Sequence, residues 1–152
     1  MKKIWLFTFL SVLIDQVIKI FVSYNLNVGE SISVINNFFN ITCAHNIGAA
    51  FSIFNGGRII FIILAIIALN LIYIFFIHKK ELDNKEKILY SLLIGGILGN
   101  LLDRLFYGYV IDYLDFNIFG YNFPIFNFAD ILITISVILI LIFSIKEKHD
   151  SN

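Results

Sequence analysis

Charge is scarce in this chain: Asp, Glu, Lys and Arg together make up 14% of its 152 residues. An ordinary soluble domain is about a quarter charged. So few charges cannot cover the surface of a soluble protein this small. Proline occurs once, at Pro124, and no Ser/Pro-rich linker, low-complexity tract or internal repeat divides the chain. The single cysteine, Cys43, excludes an internal disulfide. Net charge is formally zero and no long basic run is present, which argues against a nucleic-acid partner. His45, His78 and His149 lie far apart, with no HExxH or CxxC spacing, so the case for a metal site is weak. Cys43 and His45 are two residues apart, whereas a thiol nucleophile and its base are usually distant in sequence.

What the chain has in abundance is apolar surface, with 59% hydrophobic residues and a mean hydropathy of +0.89. A helix that spans the hydrocarbon core needs about 20 mostly apolar residues. Four segments meet that need, at about 4–22, 59–77, 88–106 and 126–145. The expected fold class is an all-α membrane protein of four transmembrane helices in one domain, residues 1–152. Its outer loops would cover about 23–58 and 107–125. Ser31 to Val34 alternates and Phe38 to Thr42 is β-prone, so a small β-rich region is expected between the first two spans. Lys2, Lys3 and the apolar run after them resemble a signal peptide, but Asp15 and Lys19 stand where small residues would flank a cleavage site. The segment reads as a retained span.

Lysine and arginine set orientation. Lys2 and Lys3 precede the first span, Lys79, Lys80, Lys85 and Lys87 join the second to the third, and Lys146 and Lys148 follow the fourth. The segments from Ile20 to Gly57 and from Leu105 to Pro124 have no Lys or Arg. Both termini are therefore expected in the cytoplasm, with the two long loops outside. Asp15, Asp103, Asp112, Asp115 and Asp130 all fall toward the outer side. Charged groups in a bilayer are costly unless paired or wetted, so their gathering at one depth marks a site.

Asp15 and Lys19 are spaced i, i+4 on one helical face, as a structural ion pair or as a substrate contact. In the third span Gly95 and Gly99 form a small-xxx-small pair that admits a neighbouring helix. Gly96, Asn100 and Asp103 share a face there, with Arg104 beside it, and read as the wall of a site. Asn127 and Asp130 open the fourth span, where either could cap the helix. Asp112 lies among apolar residues in Val110-Ile111-Asp112-Tyr113, poorly explained as a solvating charge. Two carboxylates held close share one proton near neutral pH, the arrangement of an aspartic protease. Aromatic residues crowd the outer loops, among them Phe38, Phe51, Phe54, Phe106, Tyr107 and Tyr121, as an interfacial belt or as a lid.

Five blocks in order carry a family resemblance over nearly the whole chain. They are Asp15-Gln16-Val17-Ile18-Lys19, Asn46-Ile47-Gly48-Ala49-Ala50-Phe51, Gly95 through Arg104, Val110 through Tyr113, and Pro124 through Asp130. The chain resembles bacterial lipoprotein signal peptidase, or signal peptidase II. The resemblance implies that Asp112 and Asp130 are catalytic, and that Asp15, Lys19, Asn46, Gly96, Asn100, Asp103, Arg104 and Asn127 bind substrate or support the site. It implies a prolipoprotein substrate whose cysteine already carries diacylglycerol, cut just before that cysteine. It also implies a monomer in the bacterial cell membrane, facing lipid, with inhibition by globomycin and no metal or cofactor. Tyr113, Ile97 and Phe123 stand where the family more often has Phe, Ala and Trp. Two other classes predict different patterns. A small proton-coupled transporter would carry polar groups toward both membrane faces, and an assembly subunit would bind a partner without turnover.

Overall fold

The computed structural model describes residues 2–48, 57–78 and 81–150. Ala49, Ala50, Phe51 and Phe54, and the lysines at 79 and 80, lie outside the described residues. Four long helices and four strands follow in the order α1 (Lys2–Asn25), β1 (Ser31–Ile35), β2 (Phe39–Asn46), α2 (Arg58–Ile72), α3 (Asn84–Phe106), β3 (Val110–Ile118), β4 (Tyr121–Asn122) and α4 (Phe128–Asp150). α2 continues as a π-helical turn over Tyr73–Ile77. All four helices are long and apolar enough to cross a membrane.

α3 is the axis of the bundle. It starts with a capping box in which Asp83 accepts from the Glu86 amide (2.7 Å) and Glu86 accepts from the Asp83 amide (3.0 Å). α1 runs parallel to it: Lys3 reaches Asn84, and Thr8 donates to the Ser91 carbonyl (3.2 Å). α2 and α4 run antiparallel to it. Phe61 and Arg104 meet at one end of the α2–α3 seam, and Phe76 stacks on Tyr90 at the other. The start of α1, the start of α3 and the end of α2 therefore share one end of the bundle.

Glycine sets how closely α1 approaches α3. A Cβ at Gly95 would lie 2.5 Å from Ser11 Cβ, and one at Gly99 would lie 2.5 Å from Asp15 Oδ2. The glycine pair thus faces the first span, as its spacing predicts. An apolar cluster of Ile4, Ile72, Ile77, Leu82, Tyr90, Leu93 and Ile94 fills the end away from the sheet. Val22, Leu26, Cys43 and Tyr113 join the helices to the sheet.

The sheet has the order β1-β2-β3-β4, antiparallel throughout. β1 and β2 lie between the first two spans, where a small β-rich region was expected, and two further strands join them. The second outer loop supplies β3 and β4. The end of its run, Leu114 to Ile118, alternates apolar and polar residues, the strand pattern, although its acids draw attention first. The register sorts side chains by face. Ser31 pairs with Thr42, Ser33 with Asn40, Asn40 with Asp115, and Asn117 with Asn122. Ile32, Ile41 and Leu114 pair in the row between them, and Phe39 pairs with Phe116. One face is polar and the other apolar, because strand side chains alternate. A bulge in β2 between Ile41 and Ala44 resets the register and brings Ala44 opposite Asp112.

Candidate active site

The site sits where the helix bundle meets the sheet, and it has two layers. The deeper layer is ionic. Lys19 is 1% exposed, yet its ammonium lies 2.8 Å from Asp15 Oδ2, 2.9 Å from Asp103 Oδ2 and 2.9 Å from Asn100 Oδ1. An ammonium has three donors, so all of them are engaged. Asp15 accepts in addition from the Ala129 amide (3.0 Å), near the positive N-terminal end of α4. Asp103 accepts from the Ile111 amide (3.2 Å) and from Gln16 Nε2 (2.8 Å). A buried pair keeps its charge only when its other lone pairs are satisfied, and here they are. The i, i+4 spacing of Asp15 and Lys19 thus brings the two side chains into a buried ion pair. Gln16 also reaches the Gly99 carbonyl (3.2 Å). It was not among the expected site residues, although an amide at the depth of Asp15 in an apolar span is a visible signal.

The upper layer holds the two remaining acids. Asn127 Nδ2 donates to Asp112 Oδ1 (2.6 Å), and Asn46 Nδ2 donates to Asp112 Oδ2 (2.8 Å). Asn100 Nδ2 donates to Asp130 Oδ1 (2.8 Å). Asn127 and Asp130 exchange bonds at the start of α4: the Asn127 amide donates to Asp130 Oδ2 (3.1 Å), and the Asp130 amide donates to Asn127 Oδ1 (3.0 Å). The cap and the site contact are therefore one device, since the same Asn127 side chain also orients Asp112. Asn127 Nδ2 lies 3.1 Å from Asn100 Oδ1, which links the layers through Lys19.

Asp112 and Asp130 line one cavity of about 300 Å³. Asn46, Asn100, Arg104, Val110, Thr134 and the segment Phe123 to Phe126 complete its wall. Burial pushes the Asp112 carboxyl up to about 7, and the nearby Asp130 pushes the same way against the Asn46 and Asn127 amides. Arg104 stands over the Phe61 ring, 4.9 Å from its centroid, and donates to the Asn100 and Gly48 carbonyls (both 3.3 Å). A Cβ at Gly96 would lie 2.6 Å from the Ala129 carbonyl oxygen, so this glycine lets α4 bring Asp130 close.

All ten expected site residues come together here. Asp112, Asp130, Asn46, Asn100 and Arg104 face the cavity. Asp15, Lys19, Asp103 and Asn127 are buried behind it, and Gly96 sits at the α3–α4 contact. Asp103, expected in the wall, is fully buried beneath it. Cys43 and His45 take no part. Burial raises the Cys43 thiol, and His45 stacks on Tyr109 with ring centroids 3.7 Å apart. The outer aromatics divide. Phe106 and Phe119 are exposed, whereas Tyr113 is buried and accepts from the Phe128 amide (3.2 Å).

Four helices long and apolar enough to span a membrane, capped by a sheet with two acids over one cavity, fit a multi-pass membrane enzyme. The chain belongs to the signal peptidase II family of peptidases, whose model, described as "Signal peptidase (SPase) II", matches residues 7–146. A lipoprotein signal peptidase of Staphylococcus haemolyticus (strain JCSC1435) is 43% identical over 137 residues, which cover 90% of this chain and 87% of that protein. A lipoprotein signal peptidase of Staphylococcus aureus (strain bovine RF122 / ET3-1) is 43% identical over 139 residues, 91% of this chain and 85% of that one. A solved structure described as a bacterial membrane enzyme at 2.3 Å resolution superposes with a TM-score of 0.91 at 40% identity, covering all of this chain and 93% of that one. A second, at 1.9 Å, gives 0.83 at 42% identity, with 93% and 92% covered.

Proposed function

We propose that this protein removes signal peptides from diacylglyceryl-modified prolipoproteins by aspartic proteolysis, cutting just before the lipidated cysteine. The observation that carries the reading is the pair Asp112 and Asp130 on one cavity, tied by the amides of Asn100 and Asn127. With Asp112 raised to about 7, the pair holds one proton near neutral pH. The ionised carboxylate takes a proton from water as the water oxygen bonds to the scissile carbonyl carbon. The protonated carboxyl gives its proton to the carbonyl oxygen. Collapse of the tetrahedral intermediate breaks the C–N bond, and the leaving amine takes up a proton. Titration belongs to the pair, so neither role is tied to one residue.

The lysine distribution supports an orientation with both termini in the cytoplasm and the sheet end outside, in which the cavity opens toward the extracytoplasmic face. The chain acts as a single membrane domain and as a monomer. A lipid anchor holds the precursor at the depth of the two acids, which raises its effective concentration there. Globomycin-type peptides compete for the same cavity. Asn46 and Asn127 orient the substrate carbonyl, and the aromatic loops exclude all but the attacking water. A transporter needs titratable groups leading to the other face. Among the described residues, the buried polar groups at that end of α1 and α3 are the hydroxyls of Thr8, Ser11 and Ser91.

The test is cleavage of a diacylglyceryl-modified precursor by purified protein in lipid, beside the unlipidated precursor and a chelator control. Cleavage that requires the lipid and ignores the chelator supports the reading. A folded protein that cuts neither precursor sinks it.

A further inference from the structure

A second and larger cavity, of about 700 Å³, opens on the polar face of the sheet. That size falls in the range of small-ligand pockets, about 300–1,000 Å³. Its walls are Ser33, Asn36, Asn37, Asn40, Asp115, Asn117 and Asn122, together with Phe123, Pro124 and Ile125. The last three also wall the cavity of Asp112 and Asp130. One short segment therefore borders both spaces.

The chemistry of the groove is specific. Among the described residues, five carboxamides line it and no cation does. Some of these groups are used internally. Asn117 Nδ2 donates to Asn122 Oδ1 (2.7 Å), Asn117 Oδ1 accepts from the Gly120 amide (2.9 Å), and Thr42 donates to Asp115 (2.7 Å). Asn37 and Asn40 have no side-chain hydrogen bond to the described residues. A carboxamide offers a donor and an acceptor, the complement of a peptide group. Without cations the groove has no attraction for phosphate or for an acidic headgroup. An uncharged, hydrogen-bonding polypeptide fits it best.

We propose that this groove binds the polar polypeptide that follows the lipidated cysteine in the precursor, and so forms an extended subsite for the mature side of the cut. The inference rests on the proposed function. The polypeptide beyond the cut leaves the membrane surface, and the shared segment from Phe123 to Ile125 puts the groove next to the point of cleavage. The groove reads backbone amides rather than one sequence, which suits precursors with different mature regions.

The experiment compares two lipopeptides, one ending two residues after the modified cysteine and one extended by ten polar residues. The parent protein is expected to show a KM several-fold lower for the extended form. Asn37→Gly/Asn40→Ala removes both free amides, and the glycine preserves the positive φ of 57° at position 37. In this variant the ratio of the two KM values is expected to fall toward one. A parent that cleaves both forms with equal KM overturns the inference and leaves the proposed function standing. An unchanged ratio in the variant overturns it as well. A parent that cleaves neither form overturns both. The parent comparison stands even if the variant folds poorly.

Discussion

The second helix, taken with its π-helical turn, and the third are of similar length and meet along one seam, yet they are opposites. In the most apolar window of α2, 6% is buried inside the protein; in that of α3, 61% is. α2 is the most apolar span and α3 the least, so hydropathy and burial run in opposite order. In water the apolar helix would be inside. In a bilayer the lipid is as apolar as leucine, so burying α2 gains little. Glycines, amides and acids drive α3 inward, because each polar group there finds a partner that lipid cannot supply. The hydrogen-bonded interior of this protein is therefore its site, and its apolar exterior is largely solvent contact.

That contrast can be broken from the inside first. Asp112→Asn and Asp130→Asn are each expected to lower kcat by about 10³-fold or more while the thermal midpoint stays near the parent value. An active, folded double variant would move the chemistry elsewhere. Next is Lys19→Met. It leaves Asp15 and Asp103 buried without their cation, and the expected loss is roughly 3–5 kcal/mol in detergent unfolding. A stable Lys19→Met protein would show that the ionic layer is wet rather than sealed.

A gentler probe is acidity. Asp112 is raised from 3.8 to about 7, so the folded state holds a proton that the unfolded state has released. Its contribution to stability is full below pH 4 and is lost as pH rises toward 7. Cleavage is expected to have a basic limb near pH 7, where the pair loses its shared proton. The Asn46 amide lowers the Asp112 value, so Asn46→Leu should move that limb to higher pH. A limb that stays in place would detach it from Asp112. The smallest effect belongs to α2: Ile63→Val and Leu64→Val are expected to change stability by about 0.5 kcal/mol or less. A larger loss at either position would mean that this face meets protein.

Much of this contrast was legible beforehand, because hydropathy finds spans without knowing what buries them. The gathering of acids at one depth pointed to the site, and the order of five short blocks pointed to its family. What stayed hidden depended on pairing between distant segments. The run from Val110 to Ile118 becomes a strand only against β2, and the bulge that aligns Asp112 lies in that partner. Gln16 is one amide in a long apolar run until Asp103 arrives to meet it. The π-helical turn at Tyr73–Ile77 has no sequence signal that we recognise.

The bond from the Ala129 amide to Asp15 joins the first span to the last. A chain made from its N-terminus puts Asp15 and Lys19 into the membrane long before α4 is synthesised. During that interval the two have each other, one helical turn apart, so the first span travels with its own counter-ion. Asn100 and Asp103 join when the third span enters, and the centre closes only when Asn127 and Asp130 arrive. Assembly thus acts as a timer: no partly inserted chain carries the full set of acids and amides, and the arrangement is complete only with the final helix.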